Sequence, residues 1–179
     1  ATSEESTKDI GKIARRIEIP ETYRKLITPL GNVNDYWEVI AALEEKKPHL
    51  AIIDSIQTMS REDAGGAEGS AEQVKACVDG FTGWGKRKGT IFLIINQVNA
   101  EGNIAGPRKA AHAVDTIVEL YKYFDEDSYD DGELREDKKH IRGIRSHKNR
   151  NGEEGIEALF EMTKNGLKSV RKKGKLTLV

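Results

Sequence analysis

Two unbroken apolar runs limit the folds open to this chain more than any other feature of its sequence. The first, residues 50–53, ends at Asp54, and the second, residues 90–95, ends at Asn96. Uninterrupted apolar strands are typical of parallel sheets that are covered on both faces. Residues 71–88, which lie between the two runs, predict a long helix in spite of three glycines. The pattern therefore indicates a strand–helix–strand unit with the two strands parallel.

The N-terminal part predicts two helices on either side of a short strand. Apolar residues recur at three- and four-residue spacing between positions 10 and 17, which predicts a helix that ends at Pro20. Residues 25–30 predict the short strand. Asn32 is the expected cap of the second helix, whose buried face is expected to include Trp37.

The C-terminal part predicts a more antiparallel arrangement. A charged segment, residues 125–139, is expected to be a solvated hairpin tip or an insertion. An Asn-Gly turn at Gly166 joins the last two of four segments with strand patterns, which are residues 113–123, 140–146, 156–162 and 167–170. The fold class predicted from these patterns is α/β: a mostly parallel sheet flanked by helices, with an antiparallel C-terminal edge.

Charge and cysteine content exclude several classes of protein. The 179 residues carry a formal net charge of −1 and one cysteine, Cys77. A single cysteine cannot build a disulfide framework or a cysteine-based zinc site, and it favours a reducing, cytoplasmic setting. Since there is no overall basic excess, any nucleic-acid contact must come from a local patch. No apolar run reaches membrane-spanning length, so we expect no membrane partner.

The carboxyl ends of the two predicted strands carry the first candidate site. In open parallel sheets, ligands bind beyond these ends. Asp54 could hold Mg²⁺ there through water, with Ser55 adding a hydroxyl, and Gln97 could sense a γ-phosphate. Each pattern also fits a simpler role, with Asp54 capping the next element and Gln97 bonded to the backbone of its loop. Taken alone, the patterns favour these simpler roles.

Glu4 and Glu5 are the candidates for a second carboxylate. A carboxylate beside a magnesium site can orient and deprotonate water for attack on a γ-phosphate. The alternative is ordinary acidic charge at the start of a helix, which the helix dipole favours. Without other information, the alternative is the better interpretation.

Two polar, glycine-bearing loops carry cations. The first loop, residues 59–69, contains Arg61 and is expected to be mobile, and the second ends in Arg108 and Lys109. Glycine permits close backbone approach, and the cations can neutralise phosphates of nucleic acid. Solvated surface loops are the alternative that composition alone favours.

Lys148 and Arg150 lie in a turn at a strand end. Two cations around a turn can clamp phosphate, and in a ring-shaped assembly they could reach the nucleotide of a neighbouring subunit. A charged β-turn is the simpler interpretation of the same residues.

Taken in order, five segments of the chain resemble the RadA/Sms family of DNA repair ATPases, which is part of the RecA-like superfamily. The match runs in register over nearly the whole chain, and five ordered motifs are far more specific than one. The segments are 47–58 (KPHLAIIDSIQT), 68–75 (EGSAEQVK), 101–108 (EGNIAGPR) with 112–116 (HAVDT), 148–152 (KNRNG), and 160–163 (FEMT) with 166–167 (GL).

This resemblance implies a RecA-like ATPase core over residues 1–179. It implies an ATP-driven, ring-forming homo-oligomer that acts on single-stranded or branched DNA in recombinational repair and branch migration, in the cytoplasm. ATP or ADP and Mg²⁺ would be the ligands of the intact protein. The implied residue roles are catalysis by Glu4 and Gln97, nucleotide contact by Ser55, Lys148, Arg150 and, through Mg²⁺ and water, Asp54, and DNA contact by Arg61, Arg108 and Lys109.

The chain departs from the family pattern at three points. No G-x-x-x-x-G-K-[ST] motif, the loop whose backbone amides and lysine cradle phosphates, occurs in the 179 residues. Gln97 stands where the family usually has histidine, and Asn151 replaces the phenylalanine of its turn motif. We therefore expect the chain alone to bind nucleotide very weakly, to show no turnover and to hold no tightly bound cofactor.

Two other functions compete with this interpretation. Replicative-helicase-like and KaiC-like motors share the apolar strand that ends in aspartate, but they lack the Ile-Ala-Gly-Pro-Arg loop at residues 104–108. A non-catalytic RecA-like adaptor that binds partners through its sheet edge would need no phosphate loop. A phosphate loop upstream of Ala1 in the gene would favour the motor, and its absence would favour the adaptor.

Overall fold

A computed structural model describes residues 1–97, 110–124, 128–130, 133–135 and 139–170 of the chain. These residues divide into two compact units. The first unit contains residues 1–15 and 20–114, and the second contains residues 16–19 and the residues from 115 onward.

The first unit carries four helices and two strands among its described residues. Short 3₁₀ turns follow β1, at Ile56–Thr58, and precede the second unit, at Ala110–His112. The elements in chain order are α1 (Thr7–Arg16), α2 (Glu21–Arg24), α3 (Tyr36–Lys46), β1 (Leu50–Ile53), α4 (Ala71–Lys88) and β2 (Ile91–Ile94).

The predicted strand–helix–strand unit is confirmed. β1 and β2 pair in parallel, with Leu50 opposite Ile91 and Ile53 opposite Ile94. α4 connects them and begins where Ser70 caps it, since the Ser70 side chain accepts a hydrogen bond from the backbone N–H of Gln73. Gly89 ends the helix in a left-handed conformation with φ of 73°, as glycine commonly does at this position.

The core of this unit lies between one face of the β1–β2 pair and the helices α3 and α4. Phe81 of α4 is fully buried, and its ring lies 4.7 Å from that of Tyr36 and 5.4 Å from that of Phe92. Ile53 is 1% exposed and faces the same cluster. Burial of these large apolar side chains is the main stabilising contribution to the unit.

The opposite face of the β1–β2 pair is not covered by described residues. Aliphatic strands buried on both faces are expected in a parallel sheet, so the sequence prediction is met on one face only. We call the exposed residues the bare sheet face; they are Leu50, Ile52, Ile91, Leu93 and Ile95, with exposed fractions of 52%, 44%, 69%, 52% and 37%.

Two predictions for the N-terminal part are wrong in detail. Residues 25–30 pair in no strand, and α2 precedes them. The cap of α3 is Asp35, whose Oδ1 accepts a hydrogen bond from the Glu38 N–H at 2.8 Å, whereas Asn32 adopts a positive φ of 58°. Because α3 starts later than predicted, its buried face holds Tyr36, Val39 and Leu43, and Trp37 is 49% exposed.

The second unit is built on an antiparallel sheet. Its described strands are β3 (Thr116–Lys122), β4 (Tyr129–Asp130), β5 (Glu133–Leu134), β6 (Ile141–Asn149), β7 (Glu157–Thr163) and β8 (Gly166–Ser169). Four of them pair in the order β3-β6-β7-β8, and Gly166, at φ of 103°, turns β7 into β8 as the Asn-Gly signal predicts. Among the described strands the antiparallel part is therefore larger than the parallel part, although the α/β class is confirmed.

The charged segment at residues 125–139 is described in part. β4 and β5 lie within it and pair antiparallel, with Tyr129 opposite Leu134. Its interpretation as an insertion or a hairpin tip stays a prediction. Across the described part of the chain, no helix has the length and apolar content needed to cross a bilayer.

Candidate active site at the strand ends

Side chains from three separate segments meet at the carboxyl ends of β1 and β2. Thr2 forms parallel bridges with Gly31 and with Asp54, so the N-terminal segment runs beside the end of β1. The backbone N–H of Asp54 donates to the Ala1 carbonyl at 3.0 Å. We call the polar residues gathered here the strand-end cluster; they are Glu4, Asp54, Ser55, Gln57, Asn96 and Gln97.

Glu4 is the meeting point of the strand-end cluster. Its Oε1 accepts a hydrogen bond from Gln97 Nε2 at 3.2 Å and a longer one from Ser55 Oγ at 3.5 Å. The Glu5 carboxylate lies outside this set of contacts. Of the two candidate carboxylates, the structure therefore brings Glu4 to the strand ends, together with two of the predicted partners.

Asp54 stands next to Glu4 with a perturbed carboxyl group. Partial burial raises the pKa of Asp54 above its ordinary value of 3.8, and the negative charge of Glu4 raises it further. A cation can relieve the unfavourable charge on a carboxylate that lies beside a second carboxylate. The Asp54–Ser55 peptide bond is cis.

Removing the Asp54 charge is expected to stabilise the chain at neutral pH. The raised pKa means that the folded state holds the Asp54 proton more tightly than the unfolded state, so stability falls as pH rises from about 3.8 through the folded-state pKa. Asp54→Asn abolishes that loss, and its advantage should shrink as the pH is lowered toward 3.8. The effect is small, because Asp54 is buried only in part and solvent screens the exposed part of its carboxyl group. Urea unfolding of the two forms at several pH values measures it.

Glu68→Gln is the matched control for this measurement, because it removes one negative charge from an exposed loop position. It should change stability little at any pH. A stability gain for Asp54→Asn that is the same at pH 7 and at pH 3.8 would contradict the assignment to the carboxyl charge.

Gln57 is a member of the cluster that the sequence patterns did not single out. It lies in the 3₁₀ turn after β1, and its Nε2 donates to Asn96 Oδ1 at 2.5 Å and to the Gln97 carbonyl at 2.9 Å. Its Oε1 is buried with no hydrogen-bond partner among the described residues. The sequence signal was limited to its place inside the matched segment 47–58, because a glutamine in a turn has no distinctive pattern.

The strand-end cluster suits a divalent cation that also takes ligands from outside the cluster, such as water and substrate phosphates. Within the described ranges no group of three or more His, Cys, Asp or Glu side chains is placed to hold a metal ion. Mg²⁺ commonly binds through one or two carboxylates plus water and substrate phosphates, so Asp54 fits such an ion without a dedicated cage. The Asp54 carboxylate is thus of a type that Mg²⁺ binds, and its role at the ion stays a prediction.

Arg61 is held inside the first unit. Its guanidinium lies 4.5 Å from the Tyr36 ring centroid and donates to the Asp63 carboxylate and to the Ala76 carbonyl, the latter at 2.9 Å. Its side chain is 17% exposed. The loop around Arg61 is also fixed by Gln73, whose side chain bonds four backbone groups between Arg61 and Gly66. These internal contacts occupy the guanidinium. DNA contact by Arg61 stays a prediction.

Lys148 and Arg150 belong to the second unit, where both lie at the end of β6. The Arg150 Nη1 lies 2.6 Å from the Asp115 Oδ1, and its backbone N–H donates to the Asp115 carbonyl at 3.0 Å. Lys148 pairs with Ile117 of β3, next to a bulge that places His147 as an extra residue. Their nucleotide role stays a prediction, as does DNA contact by Arg108 and Lys109, which lie outside the described residues.

The described residues thus define an α/β protein with an acidic, amide-rich site at the carboxyl ends of two parallel strands, which is the usual ligand position in open α/β sheets. No protein-family model matches the chain. Curated relatives do match it. DNA repair protein RadA of Pseudomonas aeruginosa is 34% identical over 169 residues, which are 94% of this chain and 34% of that protein.

Two further relatives agree. DNA repair protein RadA of Rickettsia typhi is 31% identical over 99% of this chain and 37% of its own length. The protein of that name from Escherichia coli is 30% identical over 94% of this chain and 33% of its own length. The chain therefore belongs with the RadA-type DNA repair proteins over nearly its whole length, which confirms the family resemblance of its motifs. It spans about a third of the length of these relatives.

Proposed function

We propose that the chain is part of the ATPase core of a DNA-dependent motor that acts in DNA repair, with a RecA-like fold. The observation that carries the proposal is that the side chains of Glu4, Ser55 and Gln97 meet at the strand ends. Ser55 is 51 residues and Gln97 is 93 residues from Glu4 in the sequence. The role that the RadA relatives carry in their name, DNA repair, supports the same function.

In this proposal Glu4 orients a water molecule and accepts its proton as the water attacks the γ-phosphorus of ATP, while the bond from that phosphorus to the β–γ bridging oxygen breaks and ADP leaves. Its contacts support the role, because the Gln97 amide and the Ser55 hydroxyl fix the Glu4 carboxylate through one oxygen, Oε1, and leave Oε2 for the water. Asp54 holds Mg²⁺ through water. The ion, when bound with nucleotide, neutralises charge on the phosphates.

The remaining roles extend the proposal to the whole protein. Lys148 and Arg150 contact nucleotide, within one subunit or across the interface of a homo-oligomeric ring. Arg108, Lys109 and Arg61 contact single-stranded or branched DNA during recombinational repair and branch migration, in the cytoplasm. The chain spans about a third of the RadA relatives, so it supplies one part of such a machine.

Turnover by the full gene product is the first test of the proposal. We expect Mg²⁺-dependent ATP hydrolysis that single-stranded DNA stimulates, and a loss of about 10²–10⁴-fold in kcat for Glu4→Gln, the range that a positioned general base contributes. Glu5→Gln is the matched control, because the neighbouring carboxylate takes no part in the contacts at the strand ends; it should keep kcat within about two-fold.

Two results would contradict the proposal. Equal losses for the Glu4 and Glu5 variants would remove Glu4 from the catalytic role. A full gene product that neither hydrolyses nor binds ATP would favour a non-catalytic adaptor. The chain by itself is expected to show no turnover, since it contains no phosphate-binding loop motif.

A further inference from the structure

We propose that Gln57 is a positioning residue, which fixes the end of β2 and thereby aims the Gln97 amide at Glu4. The inference rests on the proposed function, because it concerns the residues of the same site. It adds a residue whose type and pattern carried no functional signal in the sequence.

The geometry places Gln57 between the two strand ends. The backbone N–H of Ile95 donates to the Ile53 carbonyl, and the N–H of Ile56 donates to the Ile95 carbonyl, each at 2.9 Å. These bonds bring the turn after β1 against the last residues of β2. These backbone bonds consequently hold Gln57 beside Asn96 and Gln97, independently of the contacts that the Gln57 side chain makes.

The Gln57 amide uses both of its N–H groups on the β2 end. A glutamine amide has two donors, and these go to Asn96 Oδ1 at 2.5 Å and to the Gln97 carbonyl at 2.9 Å. One side chain therefore contacts both Asn96 and Gln97, which follow the end of β2. The bond to the Gln97 carbonyl matters more for the positioning role, because it holds the backbone of the residue whose side chain reaches Glu4.

Gln97 needs such support. Its side chain is exposed and long, so it has many rotamers, and its contact with Glu4 is a 3.2 Å hydrogen bond. An exposed side chain of this kind loses much conformational entropy when it is held in one place. A fixed Gln97 backbone restricts the directions that the side chain can take and lowers that entropic cost.

The buried Oε1 of Gln57 supports a positioning role over a purely structural one. This atom has no hydrogen-bond partner among the described residues, and a buried acceptor without a partner reduces stability. A residue selected for stability alone would avoid that loss. The donors of Gln57 therefore explain its presence better than any contribution to the core does.

Gln57→Met tests the proposal, since it keeps the length of the side chain and removes the amide. The first readout is the Gln97 side-chain NH₂ signal in ¹⁵N NMR spectra of the 179-residue chain, with Glu4→Gln and Gln97→Ala used to assign it. We expect Gln57→Met to move this signal toward the position of a free glutamine amide, with the fold retained by circular dichroism. Gln57→Glu, which keeps the shape and loses the donors, should do the same if the Met variant fails to fold.

A double-mutant cycle in the full gene product is the second readout. Gln57→Met is expected to lower kcat about ten-fold with KM for ATP within about two-fold, and to cause no further loss in a Gln97→Ala background, because a residue that acts through Gln97 has nothing to position once Gln97 is removed. Additive losses would overturn the proposal.

The two proposals fail in distinguishable ways. If the full gene product shows no ATP turnover, the proposed function fails, and the NMR measurement still decides the role of Gln57. An unchanged Gln97 signal in both Gln57 variants, with the fold intact, overturns the positioning role even if the protein is an active ATPase.

Discussion

Gln73→Leu is expected to destabilise the first unit by at least about 2 kcal/mol, because it removes a side chain that satisfies several backbone groups at once. The Gln73 Oε1 accepts from the Arg61 N–H at 2.8 Å, and the two hydrogens of its Nε2 are shared among the carbonyls of Arg61, Ala64 and Gly66, which lie 3.1, 3.0 and 3.3 Å from the nitrogen. Gln73 is 5% exposed, so water does not replace these bonds without rearrangement of the loop. Urea unfolding of the chain measures the loss.

Hydrogen exchange at the Arg61 amide separates loop release from general destabilisation. In Gln73→Leu this amide should exchange faster than the amides of α4, since its acceptor is gone while the helix persists. Glu72→Leu is the matched control one position earlier, where the side chain is exposed. A loop amide that keeps its protection in Gln73→Leu would show that Gln73 does not hold the loop. Release of the loop also frees Arg61, so DNA binding by the two variants would show whether Arg61 acts on DNA when its internal contacts weaken.

Gly80→Ala and Gly83→Ala are expected to change stability in opposite directions, although both lie in α4 within one turn of each other. A Cβ at Gly80 would lie 2.5 Å from the Tyr36 hydroxyl oxygen and 2.7 Å from its Cζ. Tyr36 is 5% exposed and packs on Phe81, so its ring has no room to move. Overpacking of this kind costs about 1–3 kcal/mol.

At Gly83 an added methyl group would meet the flexible Arg87 Nη1 first, at 3.5 Å, which is an ordinary contact. Alanine there gains helix propensity and should stabilise the chain by about 0.5–1 kcal/mol. Thermal unfolding of the two variants beside the unchanged chain measures both signs. If both substitutions stabilise the chain, the Tyr36 ring moves easily to make room for the added methyl group. Close packing against Tyr36 is then not the reason for glycine at position 80.

The elements that could be predicted from sequence are those that local patterns specify. The apolar runs predict β1 and β2 because short, uninterrupted apolar segments are typical of strands in a parallel sheet. α4 could be predicted across Gly80 and Gly83 because its apolar stripe is long. The reason for glycine at position 80 could not be predicted from the helix sequence, because it depends on contact with Tyr36, which is 44 residues away in the chain. Asp35 and Asn32 are both good caps by type, and the choice between them depends on where α3 meets the rest of the unit.

The candidate site could be predicted in Glu4, Asp54, Ser55 and Gln97, but not in Gln57. Asp54 stands directly after an apolar run, so the topology alone places it at a ligand position. Gln57 and Gln73 have no such marker. Their importance comes from hydrogen bonds to backbone groups that the fold brings near, at Gln97 for the first and between Arg61 and Gly66 for the second. Patterns of hydrophobicity and charge do not identify polar residues that form hydrogen bonds with the backbone of a distant segment.

The bare sheet face has a consequence for calorimetry. The heat-capacity change on unfolding is set by the apolar surface that passes from the interior into water. Ile91 is already 69% exposed and Leu93 52% exposed, so these side chains contribute less to that change than fully buried ones do. The curvature of the stability curve with temperature consequently reports more on the helix-facing half of the β1–β2 pair than on the bare sheet face, whose five aliphatic side chains pass only part of their surface into water on unfolding.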